Sequence, residues 1–200
     1  MSEARAEATR SPLTVDLGNG TSVTFYGYVK ADFIGDDGYD LGKTTSGLKN
    51  IGLAAGGPVG SFSRRQLNES RIGFSVQAPD GLSAKFEGDF FGANDSLRLR
   101  LAYVDWHGVL IGQNWTNFMS VENLADTVDF QTSLAYPFSR VPQIRYTFSG
   151  WDNISIAGSV EEDKTNNNEL TYTLALRMDW KMAWSGLQVC TGIRWSQDRA

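Results

Sequence analysis

Nine segments of this chain place apolar residues at every second position, the period of a β-strand whose two faces meet different surroundings. Val23–Phe33 shows it most plainly: Val23, Phe25, Gly27, Val29, Ala31 and Phe33 alternate with Thr24, Tyr26, Tyr28, Lys30 and Asp32. The pattern returns at Ser70–Gln77, Leu82–Phe90, Leu97–Trp106, Val109–Trp115, Gln143–Phe148, Ile154–Glu161, Leu170–Trp180 and Leu187–Trp195. The connections sort into two kinds. Residues 78–81, 107–108, 150–153 and 183–186 are tight turns by residue type, whereas Gly35–Arg64 and the stretch after Trp115 are long. Short turns at one end and long loops at the other fit an antiparallel barrel that crosses a membrane on tilted strands of about 9–11 residues. A soluble sandwich has no reason to sort its loops this way.

Charge separates the two faces. The apolar parity is almost uncharged; Asp105, beside Trp106 and a turn, is the exception. On Leu97–Trp106 that parity reads Leu97, Leu99, Leu101 and Tyr103, against Arg98, Arg100, Ala102 and Val104. The polar parity of all nine segments carries Lys30, Arg71, Lys85, Arg98, Arg100, Arg145, Arg177 and Arg194 against Asp32, Glu87, Asp89, Glu161 and Asp179. That wall leans basic although the chain as a whole has a net charge of −5, which points to selection for anions. Arg177 near Asp179 and Lys85 near Glu87 are expected to pair along their own strands. Arg98 and Arg100 have no acid on their side of the strand, Arg145 has none near it, and Arg140 lies just before that strand. Aromatic residues toward strand ends on the apolar parity (Phe25, Phe33, Phe90, Tyr103, Tyr146, Phe148, Trp180, Trp195) match the girdles of a bilayer-spanning barrel.

The segment between Trp115 and Gln143 has no strand pattern, yet it holds Phe118, Met119, Val121, Leu124, Val128, Phe130, Leu134, Tyr136 and Phe138. That is too much apolar surface for a loop hanging in water, and loops of this length are usually functional or disordered. It also holds Glu122, Asp126 and Asp129. A loop that folds back against the wall is the expectation.

Composition closes off other readings. An acidic chain is a poor nucleic-acid partner. Cys190 stands alone, so neither a disulfide scaffold nor a cysteine zinc site is available. No run of 18 apolar residues exists to make a membrane helix, which says nothing against a barrel. Residues 1–20 read as a polar tail that Pro12 keeps from extending as a helix, with residues 21–200 as the barrel portion. Residues 1–8 lack the apolar core of a signal peptide. His107 precedes Gly108 in a turn, and no nucleophile elbow, metal-ligand cluster or phosphate loop is present. No enzyme, catalytic residue, cofactor or metal is therefore expected.

The runs Arg98–Trp106 and Leu110–Phe118 resemble Gram-negative porins. Glu122-Asn123-Leu124-Ala125-Asp126-Thr127-Val128-Asp129-Phe130, Tyr136–Thr147 and the opening Phe25–Asp32 resemble the DcaP-like porin family, over roughly residues 20–195. The resemblance implies an all-β, antiparallel transmembrane porin barrel, here its N-terminal part. It implies a homotrimer in outer-membrane lipid that passes small organic anions such as dicarboxylates. Residues 116–141 would be the constriction loop, with Glu122, Asp126 and Asp129 facing Arg71, Arg98, Arg100, Arg140, Arg145, Arg177 and Arg194 across the pore. Porins have more strands than nine, and the chain ends without a terminal aromatic strand, so the sequence reads as an incomplete barrel. The alternatives are a soluble ligand-binding β-barrel or sandwich and a non-conducting structural barrel in the outer membrane.

Overall fold

A computed structural model describes residues 13–44, 60–119, 121, 139–151, 154–163, 170–181 and 186–196. Among the described residues twelve strands run in chain order. They are β1 (Leu13–Gly18), β2 (Thr21–Tyr28), β3 (Asp32–Asp37), β4 (Ser61–Gln66), β5 (Arg71–Gln77), β6 (Leu82–Asp89), β7 (Arg98–Trp106), β8 (Val109–Trp115), β9 (Arg140–Trp151), β10 (Ile154–Glu162), β11 (Leu170–Lys181) and β12 (Gly186–Ser196). Ten of them form one antiparallel sheet in the order β1-β2-β5-β6-β7-β8-β9-β10-β11-β12, and β3 pairs with β4 alone. Every neighbour in the large sheet except β2-β5 is also a neighbour in sequence, as in an up-and-down barrel wall.

Three strands lie outside the nine alternating segments. Leu13–Gly18, in the stretch read as a polar tail, is β1, and it pairs with β2 through the two-residue turn Asn19-Gly20. Both turn residues have positive φ (53° and 75°), the backbone of a type I′ hairpin, which Asn and Gly accept at least cost. The strand expected over Val23–Phe33 is broken between Tyr28 and Asp32: β2 stays in the sheet, while β3 leaves it to pair with β4. Ser70 stands at the break, its Oγ accepting from the Lys30 N–H at 3.0 Å and donating to the Lys30 carbonyl at 3.3 Å. A side chain there satisfies backbone groups that a strand partner otherwise would.

The sheet is inside-out relative to a soluble protein. Large apolar side chains of the apolar parity are exposed, among them Ile72, Ile111, Ile144, Tyr146 and Ile193, while Glu87, Asp89, Arg100, Gln143, Glu161, Thr171 and Thr173 are buried on the other face. Apolar residues flank one another across strands on the exposed face. Phe25, Phe74 and Phe86 sit opposite one another on β2, β5 and β6, with ring centroids 6.3 and 5.3 Å apart.

One bulge revises the faces of β7. Gly88 pairs with Leu99, but Glu87 pairs with Leu101, which leaves Arg100 as an extra residue. Arg100 and Leu101 are both buried in succession, so the phase of the strand flips between them. Beyond the bulge Tyr103 and Asp105 lie opposite Lys85 and Ser83 on the polar face, and Val104 and Trp106 are exposed on the apolar one. The charge of Asp105 on the apolar parity, and the place of Tyr103 in an aromatic girdle, are thereby corrected: an uninterrupted period of two mis-phases every residue after Arg100.

Candidate functional site

The polar face of β2 and β5–β11 carries two joined networks. The first crosses β2, β6, β7, β8 and β9. Arg98 binds Asp89 with two parallel hydrogen bonds, Nε–Oδ1 at 2.9 Å and Nη2–Oδ2 at 2.6 Å. Arg100 donates from Nε to Glu87 at 2.6 Å and from Nη1 to Asp89 at 2.9 Å. Asp89, 1% exposed, thus bridges two guanidinium groups, and fork-shaped donors suit that geometry. Tyr26 Oη donates to Glu87 Oε2 at 3.2 Å by lying across Gly73, where any Cβ would come within 2.6 Å of the ring. Only glycine leaves room for that crossing.

These pairs correct two expectations. Arg98 and Arg100 are not unpaired, because their carboxylates come from β6 across the strand pair rather than from β7 itself. Lys85 does not take Glu87, which Arg100 already holds; its Nζ lies 5.0 Å from the Tyr26 ring centroid.

The remaining predicted cations are placed differently. Arg140 and Arg100 lie on the Trp115 ring, 4.8 and 5.8 Å from its centroid. Arg71 lies 5.4 Å from the Tyr28 ring. Among the described residues neither Arg71 nor Arg140 has a carboxylate in ion-pair contact, and each keeps a buried guanidinium nitrogen without a hydrogen-bond partner. Arg145 lines a cavity of about 300 Å³ with Asn114, Trp115, Met119, Val121, Thr147 and Ser155. Arg177 and Arg194 stand on β11 and β12, opposite Cys190 and Thr173, with side chains outside the described residues. Glu122, Asp126 and Asp129 also lie outside them.

The second network holds the root of the long loop. After Trp115 the chain turns at Thr116–Met119, with Met119 N–H bonded to the Thr116 carbonyl at 3.0 Å. Thr116 and Asn117 are buried, and they reach across β9 to β10 and β11. Thr116 Oγ1 donates to Glu161 Oε2 at 2.6 Å, and Asn117 N–H donates to Glu161 Oε1 at 2.7 Å. Asn117 Nδ2 donates to the Ala157 carbonyl at 2.9 Å. On the β9 side Gln143 Nε2 donates to the Trp115 carbonyl at 2.8 Å, and Thr116 N–H reaches the Ser139 carbonyl at 2.9 Å. From the sequence Glu161 is only one acid of the polar wall, and Asn117 carries no expected role. The available signal is a carboxylate on the polar parity of a strand, Ile154–Glu162, that carries no cation.

A polar inner face, an exposed apolar face and an inward-turning chain between two strands describe the wall of one kind of membrane protein. A solved structure makes the same point. The outer membrane channel DcaP of Acinetobacter baumannii superposes with a TM-score of 0.61 at 22% identity, over 86% of this chain and 57% of that one. The fold is that of a porin. Neither a protein-family model nor a curated protein matches the sequence. The chain thus spans a little over half the length of that channel, and its porin wall is the ten-stranded antiparallel sheet described above.

Proposed function

We propose that the protein works in the Gram-negative outer membrane as a passive channel for small hydrophilic anions of dicarboxylate type, with residues 116–141 as its constriction loop. The observation that carries the reading is the basic surface around Trp115. Arg140 lies on that ring and Arg71 on Tyr28, neither in ion-pair contact with a described carboxylate, while Arg98 and Arg100 complete a ladder whose acids are already taken. Guanidinium groups on a narrow polar wall favour anions, and a planar fork suits a carboxylate. The exposed apolar face supports seating in lipid, with the sheet's polar face turned to the pore. Assembly as a homotrimer comes from the family resemblance.

The test is ion selectivity of the full chain reconstituted in a planar bilayer, read as the reversal potential across a salt gradient. Anion preference is expected, and the double charge reversal Arg71→Glu with Arg140→Glu should shift the reversal potential toward cation preference. A channel that prefers cations, or one whose preference ignores the reversal, sinks the anion assignment. A protein that inserts and never conducts is the structural barrel instead.

A further inference from the structure

We infer that Glu161 is the positioning residue of the inward loop, fixing from β10 the point at which the chain leaves β8. The inference deepens the channel reading, since it names what sets the place of the constriction, but its geometry stands without conduction.

Glu161 is fully buried, at 0% exposure. A buried carboxylate needs either a cation or several donors. Among the described residues no Lys or Arg forms an ion pair with it. Its donors are Thr116 Oγ1 at 2.6 Å, Asn117 N–H at 2.7 Å and Ser159 Oγ at 2.9 Å. Two of the three belong to the loop root and only Ser159 to its own strand. Carboxylate and loop root therefore hold each other: if the root swings away, Glu161 keeps one donor in a buried site. Thr116 adds a second lock. Its hydroxyl donates to Glu161 and accepts from the Phe118 N–H at 3.3 Å, so the same oxygen shapes the turn that Glu161 anchors. Asn117 cannot substitute for this with its side chain, which is committed to strand carbonyls at Ala157 and Thr173.

Amide hydrogen exchange of the full chain refolded in detergent micelles tests the inference, because the Asn117 N–H is held by Glu161. In Glu161→Ala, exchange at Asn117 is expected to quicken by about tenfold or more, with the amides of β9 and β10 unchanged. Glu161→Gln keeps one carbonyl acceptor and is expected to restore part of the protection. Thr116→Val, which removes one donor with little change of shape, covers the case in which Glu161→Ala fails to fold, and it too should quicken Asn117 selectively. Unchanged exchange at Asn117 in Glu161→Ala overturns the inference. So does a uniform loss across β9–β11 that Gln does not rescue, which marks Glu161 as a general support of the sheet. Reversal potentials play no part in this readout, so a failure of the channel reading and a failure of this one are told apart.

Discussion

The Asn117 backbone N–H donates to the Glu161 carboxylate at 2.7 Å, joining positions 44 apart in the chain across the width of β9. Asn117 also closes the contact from its side chain, by donating to the Ala157 carbonyl at 2.9 Å. Asn117→Leu keeps the branching, keeps the backbone donor and removes both side-chain hydrogen bonds from a fully buried site. It is expected to lower stability by about 1–3 kcal/mol, the cost of losing two hydrogen bonds in a fully buried site. Denaturant unfolding of the micelle-refolded protein measures it, and a loss below about 0.5 kcal/mol is incompatible with the contact.

Arg100 is the least replaceable cation of the wall. Arg100→Met leaves Glu87 and Asp89 buried with one compensating guanidinium between them, and is expected to cost about 3–5 kcal/mol. Adding Glu87→Gln removes one of the stranded charges and should recover a measurable part of the loss. A double variant as unstable as the single one would show that the Arg100–Glu87 contact at 2.6 Å is not the source of the effect.

Gly73 tests packing rather than charge. A side chain there would meet the Tyr26 ring at 2.6 Å and the Phe86 carbonyl at 2.7 Å. Gly73→Val is expected to expel Tyr26 from its path to Glu87 and to destabilise by about 1–3 kcal/mol through overpacking. Tyr26→Ala in the same background should relieve the part of the strain that comes from the ring, leaving the contact with the Phe86 carbonyl. If Gly73→Val is neutral by thermal unfolding, Tyr26 does not lie across that glycine in solution.

The loop end of β6 and β7 should be acid-sensitive. The Lys43 ammonium and the Asn68 amide, at 2.6 Å, hold the Asp95 carboxyl below its ordinary value. A depressed carboxyl contributes stability above its unfolded pKa, near 4, and loses that contribution as pH falls through its folded value. Protection of the amides around 93–96, taken relative to the intrinsic exchange rate at each pH, is therefore expected to be steady above about pH 5 and to fall under more acid conditions. Asp95→Asn should abolish that pH dependence, and an unchanged profile in Asp95→Asn would assign it to another group.

The period of two carried most of the fold. Eight of the nine segments correspond to single strands of the large sheet, and the sorting of short and long connections fits its meander. What escaped was hidden by local chemistry. Leu13–Gly18 does alternate, Leu13, Val15 and Leu17 against Thr14 and Asp16, and Asn19-Gly20 announces the hairpin that pairs it, but it directly follows a polar stretch that ends in Pro12. Val23–Phe33 alternates without interruption through the point where β2 and β3 part, because alternation records which side a residue faces and not which strand it bonds. The candidate site was legible as a list of cations and not as pairings. Parity groups residues of one strand, whereas Arg98 and Arg100 find their acids on β6, and Glu161 finds its donors on a segment two strands away.

The bulge at Arg100 divides β7 into two reading frames for substitution. Up to Leu99, odd positions tolerate only greasy side chains; from Ala102 onward, even positions do. A saturation library across Arg98–Trp106 should thus show its tolerance of charge switching parity midway, with Tyr103 and Asp105 permissive and Val104 and Trp106 not. Deleting one of the two residues at the switch would restore a single frame, with Arg98 and Leu99 before it and Ala102–Trp106 after it all keeping the faces they already have.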